Sequence, residues 1–358
     1  MIDIDWRPKL GSKIDYGIAH IGCGGIVQYA HEPAYRKAGF RVVGAYDLNR
    51  ATAEKVAAEW DIPRVYDSVD ELLTDPAVDI VDISVPPWEQ LAIVEKVAAA
   101  GKHMLCQKPL SNEFANAVKT VQIAHQHGVK QAVNQQMRWS AGIAASKDLI
   151  TRGFIGQPTD AQIEVSCYTN WGLWPWLASQ PVLEVKYHSI HYLDSLRFLF
   201  GDPDWVTSRH ARYPLQGDVR GESKTITVWE YDNSDLQIIT NVNHYNIHGT
   251  TIATFRFIGT EGALEGKIGL MYNYPHGEPD SLVLKRKDQD DVVFDLDEKW
   301  IPDAFVGPMA GLMQAIATNG TPPTDSADNL KLLRAIEASY VSHAERRSVR
   351  PTEIQMEI

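Results

Sequence analysis

The sequence predicts a two-domain α/β protein. A doubly wound parallel sheet is expected over residues 1–135, and an α+β domain with a large, open-faced, mainly antiparallel sheet over residues 136–358. Three observations carry that expectation. Apolar runs and helical patterns alternate through the first part, the grammar of βαβ units whose sheet is covered on both faces. A glycine turn, Gly22-Cys23-Gly24-Gly25-Ile26-Val27, stands between the first apolar run and the first helical pattern. Beyond about Arg138 the alternation stops, and short β-like runs separated by Gly, Asp and Asn follow without crossover helices.

In order, the first domain carries apolar runs at 18–21, 41–46, 78–85, 103–106 and 131–134, with helical patterns at 26–37, 51–60, 88–100 and 113–127. Ser68-Val69-Asp70-Glu71 has capping-box spacing and opens a further short helix. Gly101 and Gly128 fall where helices should stop. The second domain begins with a helix over 141–152, the turn Gly153-Phe154-Ile155-Gly156 and a strand at 159–167. A Trp-rich stretch and a long helix over 185–200 follow. Strands at 224–231, 236–242, 251–258 and 282–286 precede two closing helices, 305–317 and 327–346. With helices on one side only, the sheet's other face is left bare. An apolar face of that size is expected to pair with a second copy, in a homodimer or homotetramer.

With 358 residues the chain is long enough for two cores. Its formal net charge of −12 argues against nucleic acid and anionic membranes as partners. Cys23, Cys106 and Cys167 are too scattered for a metal-ligand pair or a disulfide framework, which fits a reducing compartment. Residues 1–13 lack the apolar core of a signal peptide, and no run is long enough to span a bilayer. A cytoplasmic location is expected.

The glycine turn has the layout of a dinucleotide site. Gly22 permits the tight turn, Gly24 lets backbone approach a pyrophosphate, and the N–H groups of Gly25 and Ile26 at the helix start face its charge. Asp47, ending the second apolar run, is placed to accept hydrogen bonds from ribose hydroxyls and so favours NAD; Arg50 three residues on keeps NADP admissible. The third glycine position holds Val27, whose bulk is expected to push the helix slightly outward. Leu48, Val85, Pro86, Gln90, Gln107 and Gln136, near the ends of the strands, complete the expected cofactor set.

Lys108 follows the strand that ends at Cys106, on the edge where open α/β sheets place ligands. An ammonium there can donate to a substrate hydroxyl and stabilise a developing alkoxide; the alternative is a solvated turn lysine. The helix over 185–200 surrounds His191 with Tyr187, His188, Asp194 and Ser195 at helical spacing. A neutral imidazole can take the proton released when an alcohol is oxidised. Glu184, His188 and His191 also share a stripe that would suit a divalent metal, but no further ligand cluster supports one, so no metal is expected. Asn170, Trp171, Trp174 and Trp176 precede this helix. Their flat faces suit the C–H faces of sugar rings, or a lid or subunit contact. Arg138, Gln135 and Gln136 lie at the domain seam and are candidates to touch substrate or cofactor. His244 and His248 read as surface or sheet residues, and His20 as a core histidine.

Together these residues resemble the glucose–fructose oxidoreductase, inositol dehydrogenase and rhizopine-catabolism (Gfo/Idh/MocA) family over nearly the full length. The family's cofactor turn is similar to residues 22–27, its Glu-Lys-Pro motif to Gln107-Lys108-Pro109, and its Gly-x-Ile-Gly segment to residues 153–156. Its Asp-x-Gly-x-His-x-x-Asp-x-x-Arg helix resembles residues 187–197, and its late helix with a basic turn resembles 326–347. The resemblance implies a Rossmann domain, NAD or NADP, a sugar or polyol substrate, Lys108 orienting substrate and His191 as proton acceptor. Departures are Tyr187 and Ser189 in place of the family aspartate and glycine, and Gln107 in place of the glutamate. Residues 86–90 also lack a histidine common there. His188 or Glu184 is a candidate stand-in for the aspartate. The leading expectation is a dehydrogenase acting on a secondary hydroxyl of a sugar, glycoside or cyclitol. The alternatives are an NAD-dependent glycoside hydrolase working by transient oxidation and elimination, and a non-catalytic nucleotide sensor.

Overall fold

The computed structural model describes residues 2–355. Two compact units divide the chain. Pro8–Gln136 with Ile301–Leu330 forms one; Met137–Trp300 with Lys331–Gln355 and the residues up to Arg7 forms the other.

The first unit is built on five parallel strands: β1 (Gly17–Ile21), β2 (Arg41–Tyr46), β3 (Ile80–Ile83), β4 (His103–Cys106) and β5 (Gln131–Val133). Their order is β2-β1-β3-β4-β5. Helices α1 (Glu32–Ala38), α2 (Arg50–Trp60), α3 (Val69–Thr74), α4 (Gln90–Ala99) and α5 (Phe114–Gln126) alternate with them. Every residue of β1, β3 and β5 is buried, as covering on both faces requires. The order turns outward on either side of β1, so the strand ends at β1 and β3 form the switch point where such sheets take ligands. Ser68 Oγ accepts from Glu71 N at 3.0 Å and starts α3 as its spacing predicts.

In the second unit α6 (Ala141–Thr151) leads to β6 (Pro158–Ser166), the short α7 (Pro175–Ala178) and α8 (Ile190–Phe200). Seven strands follow: β7 (Trp205–Ala211), β8 (Lys224–Tyr231), β9 (Ser234–Asn243), β10 (Ile252–Gly259), β11 (Ala263–Lys267), β12 (Ser281–Lys285) and β13 (Val292–Phe294). The sheet order is β13-β12-β11-β10-β6-β9-β8-β7, antiparallel except where β6 meets β9. One face is core, with Ile163, Val165, Trp229, Ile238, Phe255 and Phe257 buried. The other corrects the expectation of a bare apolar surface. Ile226, Ile239 and Ile252 are exposed there, but Ile239, Gln162, Arg256 and Glu265 lie in register across four strands, and Asn241, Glu164, Thr254 and Lys267 form the next row. Charged rows break the apolar area into small patches.

The chain then returns. Helix α9 (Val306–Thr318) packs on α1, β4 and β5 of the first unit, and Ala132 of β5 bridges to Asp325 just before α10 (Ser326–Glu345). From the sequence, residues 305–317 read simply as part of the second domain, because nothing local marks the return.

Within the second unit, α8 is tied to the turn Gln136–Trp139 by a buried ion pair. Arg138 Nε and Nη2 each donate to one oxygen of Asp194, both at 2.7 Å. Paired burial of two charges stabilises little by itself, but removing one partner leaves the other stranded. Arg138→Met should therefore cost about 3–5 kcal/mol of unfolding free energy, and adding Asp194→Leu should restore most of it. Denaturant titration checks this; equal losses in the single and double variants would show that the pair is not the cause.

Candidate active site

The residues expected at the cofactor gather at one edge of the parallel sheet, each following the C-terminal end of a strand. Gly22 follows β1 with φ +92°, and a Cβ on it would sit 2.4 Å from the Ser84 carbonyl oxygen and 3.1 Å from Val85 Cγ1. Only glycine closes this turn. A Cβ on Gly24 would meet nothing within 4 Å, so the space over the turn is open. Asp47 follows β2. Its Oδ2 accepts from Cys23 N and its Oδ1 from Asn49 N, both at 2.8 Å, which locks the carboxylate beside the turn. Val27 is fully buried against the core of Cys23, Ala45 and Val56. The helix it begins opens with a π-helical stretch, Val27–His31, before α1. Leu48 is 94% exposed, an apolar side chain presented to solvent next to Asp47. Arg50 donates to Glu54 at 2.7 Å and also pairs with Asp67.

Beyond β3, Val85 and Pro86 are half-buried. Lys108, beyond β4, sits on a tightly held loop. Gln107 N donates to Ile83 O at 2.9 Å. Buried Gln90 donates through Nε2 to Gln107 O at 2.9 Å and to Pro109 O at 3.0 Å. Gln90 thus braces the lysine loop from α4. Burial pushes the Lys108 ammonium down to about 8. Gln135 and Gln136 follow β5 and are buried.

In the second unit, the expected long helix is two pieces, a π-helical turn over Val185–Ser189 and then α8. π-turns recur at functional sites because they re-aim side chains. His191, the second residue of α8, is largely buried edge-on to Trp300, with ring centroids 5.3 Å apart. His188 packs between Trp171 at 4.9 Å and His244 at 4.7 Å. Glu184 is fully buried and accepts from Ser189 Oγ at 2.8 Å and Thr225 Oγ1 at 2.7 Å; burial raises its carboxyl to about 8. Its oxygens are thereby occupied inside the unit. Tyr187 is buried in an apolar cluster with Trp171, Leu177, Leu183 and Val219. Arg138 has its fork on Asp194, as described. Among the described residues no three His, Cys, Asp or Glu side chains are grouped to hold a metal. His244 corrects the expectation of a surface or sheet residue. It follows β9, is 1% exposed, and meets Thr169 Oγ1 at 2.8 Å; burial lowers its pKa to about 4.

The Trp-rich stretch divides. Trp171 is buried, Trp174 half-buried against Tyr274, and Trp176 38% exposed. Asn170 caps the 3-10 turn by accepting from Gly172 N at 3.1 Å. A buried polar group in the first unit, His31, Glu32, Tyr35 and Asp82 with His20, lies outside the residues expected from the sequence to be functional. Its one sequence signal is Asp82 inside the otherwise apolar β3.

A switch-point glycine turn with open space above it, a fixed acid just beyond β2 and a braced lysine just beyond β4 define a dinucleotide-binding oxidoreductase. Comparison with known proteins agrees. The model of the oxidoreductase family's NAD-binding Rossmann fold matches residues 16–135, and that of its C-terminal alpha/beta domain matches 147–350. The chain belongs to the Gfo/Idh/MocA oxidoreductase family. It is 25% identical over 344 residues to D-apiose dehydrogenase of Paraburkholderia graminis, covering 95% of this chain and 90% of that protein. Two solved structures share the fold. An oxidoreductase from Agrobacterium radiobacter in complex with NAD+, L-tartaric acid and magnesium superposes with TM-score 0.82 at 23% identity, covering 95% of this chain and all of that one. Levoglucosan dehydrogenase in complex with NADH and levoglucosan gives TM-score 0.79 at 21% identity, covering 94% and 99%. No helix among the described residues is long and apolar enough to cross a membrane.

The open space at Gly24 yields a direct check. Gly24→Val should leave the fold intact, since its Cβ touches nothing, yet fill the phosphate cradle. NADH affinity should drop by about 100-fold or more with little change in melting temperature. Fluorescence titration of NADH reads the first, and unaltered affinity would remove the diphosphate from this turn.

Proposed function

We propose that this protein is an NAD-dependent dehydrogenase that oxidises a secondary hydroxyl of a sugar, glycoside or cyclitol. The observation that carries the reading is the braced Lys108, at the same sheet edge as the glycine turn, with its ammonium depressed to about 8. When bound, NAD supplies the acceptor for the hydride leaving the substrate carbon. Lys108 donates to the substrate oxygen and stabilises the negative charge that develops there. His191 accepts the hydroxyl proton, leaving a carbonyl product. One of the similar proteins is, by its name, a dehydrogenase of D-apiose, which supports this substrate class. Trp174 and Trp176 offer ring faces for C–H contacts with such a molecule.

NAD is favoured over NADP. A 2′-phosphate would face the Asp47 carboxylate, and the nearby Arg50 is already committed to Glu54 and Asp67. The mixed polar and apolar open face of the second unit is the surface by which two copies would associate.

A panel of monosaccharides, sugar acids, inositols and glycosides with NAD and NADP, read at the nicotinamide absorbance, tests the activity. Reduction of NAD with at least one sugar or polyol is expected. Release of an aglycone without net NADH would replace this reading by the hydrolase, and silence across the panel would favour the sensor. The pH dependence is specific. Lysine is charged below its pKa, so alkoxide stabilisation is fully present below about pH 8 and is lost as pH rises through it. kcat/KM should fall on that limb. Lys108→Met should lower it by about 1,000-fold and erase the limb; a limb that survives in the variant belongs to another group.

A further inference from the structure

The first unit buries a polar cluster that the proposed chemistry does not use. His20 on β1 stands beside Asp82 on β3, its register partner. His20 Nε2 meets Glu32 Oε1 at 2.5 Å, and its Nδ1 lies 3.4 Å from Asp82 Oδ2. Burial disfavours a charge on His20, but Glu32 and Asp82 outweigh it and raise the ring to about 10. Asp82 Oδ2 also accepts from Tyr35 Oη at 2.7 Å and meets His31 Nδ1 at 2.6 Å. All five residues are at most 3% exposed. Such groups are costly to bury unless they are paired and hydrogen-bonded.

The far side of His31 connects this cluster to the lysine loop. His31 Nε2 lies 3.3 Å from Gln107 Nε2 and 3.1 Å from Asn134 Nδ2. The Gln107 amide is not free to flip, because its Oε1 accepts from Lys108 N at 2.9 Å. Its NH2 group therefore faces His31, as does that of Asn134, and with both amides donating Nε2 is the acceptor. With Nε2 accepting, the ring proton sits on Nδ1 and is donated to Asp82. Phe305 packs edge-on to the ring with centroids 5.1 Å apart and holds its plane.

We propose that Asp82, His31 and Gln107 form a fixed hydrogen-bonded chain that positions the Lys108 backbone, with His31 held as the Nδ1–H tautomer and glutamine required at 107 to donate to it. Each member has a defined polarity. Asp82 only accepts, His31 passes one donor toward Asp82 and one acceptor toward Gln107, and Gln107 ends the chain on the Lys108 N–H. A glutamate at 107 could still accept from Lys108 N, but its second oxygen would face the lone pair of Nε2. The ring would then have to take up a second proton. His31 is thus a positioning residue that acts through Gln107, and the departure from Glu-Lys-Pro is matched by the state of this histidine. The positioning role rests on the dehydrogenase reading; the tautomer does not.

The test uses the full chain labelled with 15N in histidine. At pH 7.5 the His31 ring of the wild type, assigned through His31→Gln, should show a protonated Nδ1 and an unprotonated Nε2. In Gln107→Glu both nitrogens should be protonated. A wild-type ring protonated on Nε2, or a Gln107→Glu ring unchanged, overturns the chain whatever the enzyme's activity. In kinetics, His31→Leu should reduce kcat by about 30-fold while KM for the coenzyme changes little, since loop misplacement affects the reacting geometry. Gln at 31 can donate to Asp82 and accept from Gln107, so His31→Gln should recover most of kcat. Equal kcat losses in the Leu and Gln variants, or a change in coenzyme KM alone, would reject positioning. Wild type without turnover on any sugar would count against the dehydrogenase reading and leave the tautomer measurement decisive for the chain.

Discussion

The constraint on which the rest depends is a conflict at the end of β1. The chain must reverse within a few residues, pressed against the Ser84 carbonyl, and still leave empty space above the next helix. Side chains satisfy neither demand, so glycines occupy both Gly22 and Gly24. The closeness forbids a Cβ at Gly22, and the emptiness at Gly24 is what a diphosphate would fill. Everything else at this edge is arranged around that gap. Asp47 is tied to the turn by the Cys23 N–H and held in its own loop by the Asn49 N–H, and Gln90 reaches from α4 to hold the loop carrying Lys108.

The departures from the family pattern acquire physical content from the structure. Val27, where a glycine or alanine is usual, is wholly buried and stands at the start of a π-helical stretch. The histidine helix of the second unit also begins with a π-turn, just where Tyr187 and Ser189 replace the family aspartate and glycine. There the polar groups have been redistributed. Ser189 donates to buried Glu184, and His188 is clasped by Trp171 and His244. Gln107 in place of glutamate is paired with the histidine it faces.

Much of this was legible in the sequence because the signals are local. Glycine spacing, the acid ending β2, strand–helix alternation and the change of grammar after Arg138 each concern a few consecutive residues whose backbone needs are fixed by sterics. What escaped is non-local. Arg138 and Asp194 are 56 positions apart, and the partners of His31 come from β3 and from the residues just beyond β4 and β5. A single histidine or aspartate carries no periodicity that would reveal its partner. The return of Ile301–Leu330 to the first unit escaped for the same reason. The open sheet face was misjudged because alternation reports which residues face away from the core, whereas the charge rows depend on register between strands.

The proposed chemistry requires a nicotinamide coenzyme to take its diphosphate onto the turn after β1. A crystal structure of the protein grown with saturating NADH measures this most directly. Diphosphate oxygens are expected within hydrogen-bonding distance of the Gly24, Gly25 and Ile26 amides, with the adenosine ribose on Asp47. A coenzyme bound elsewhere, or a turn left empty at saturation, would contradict it.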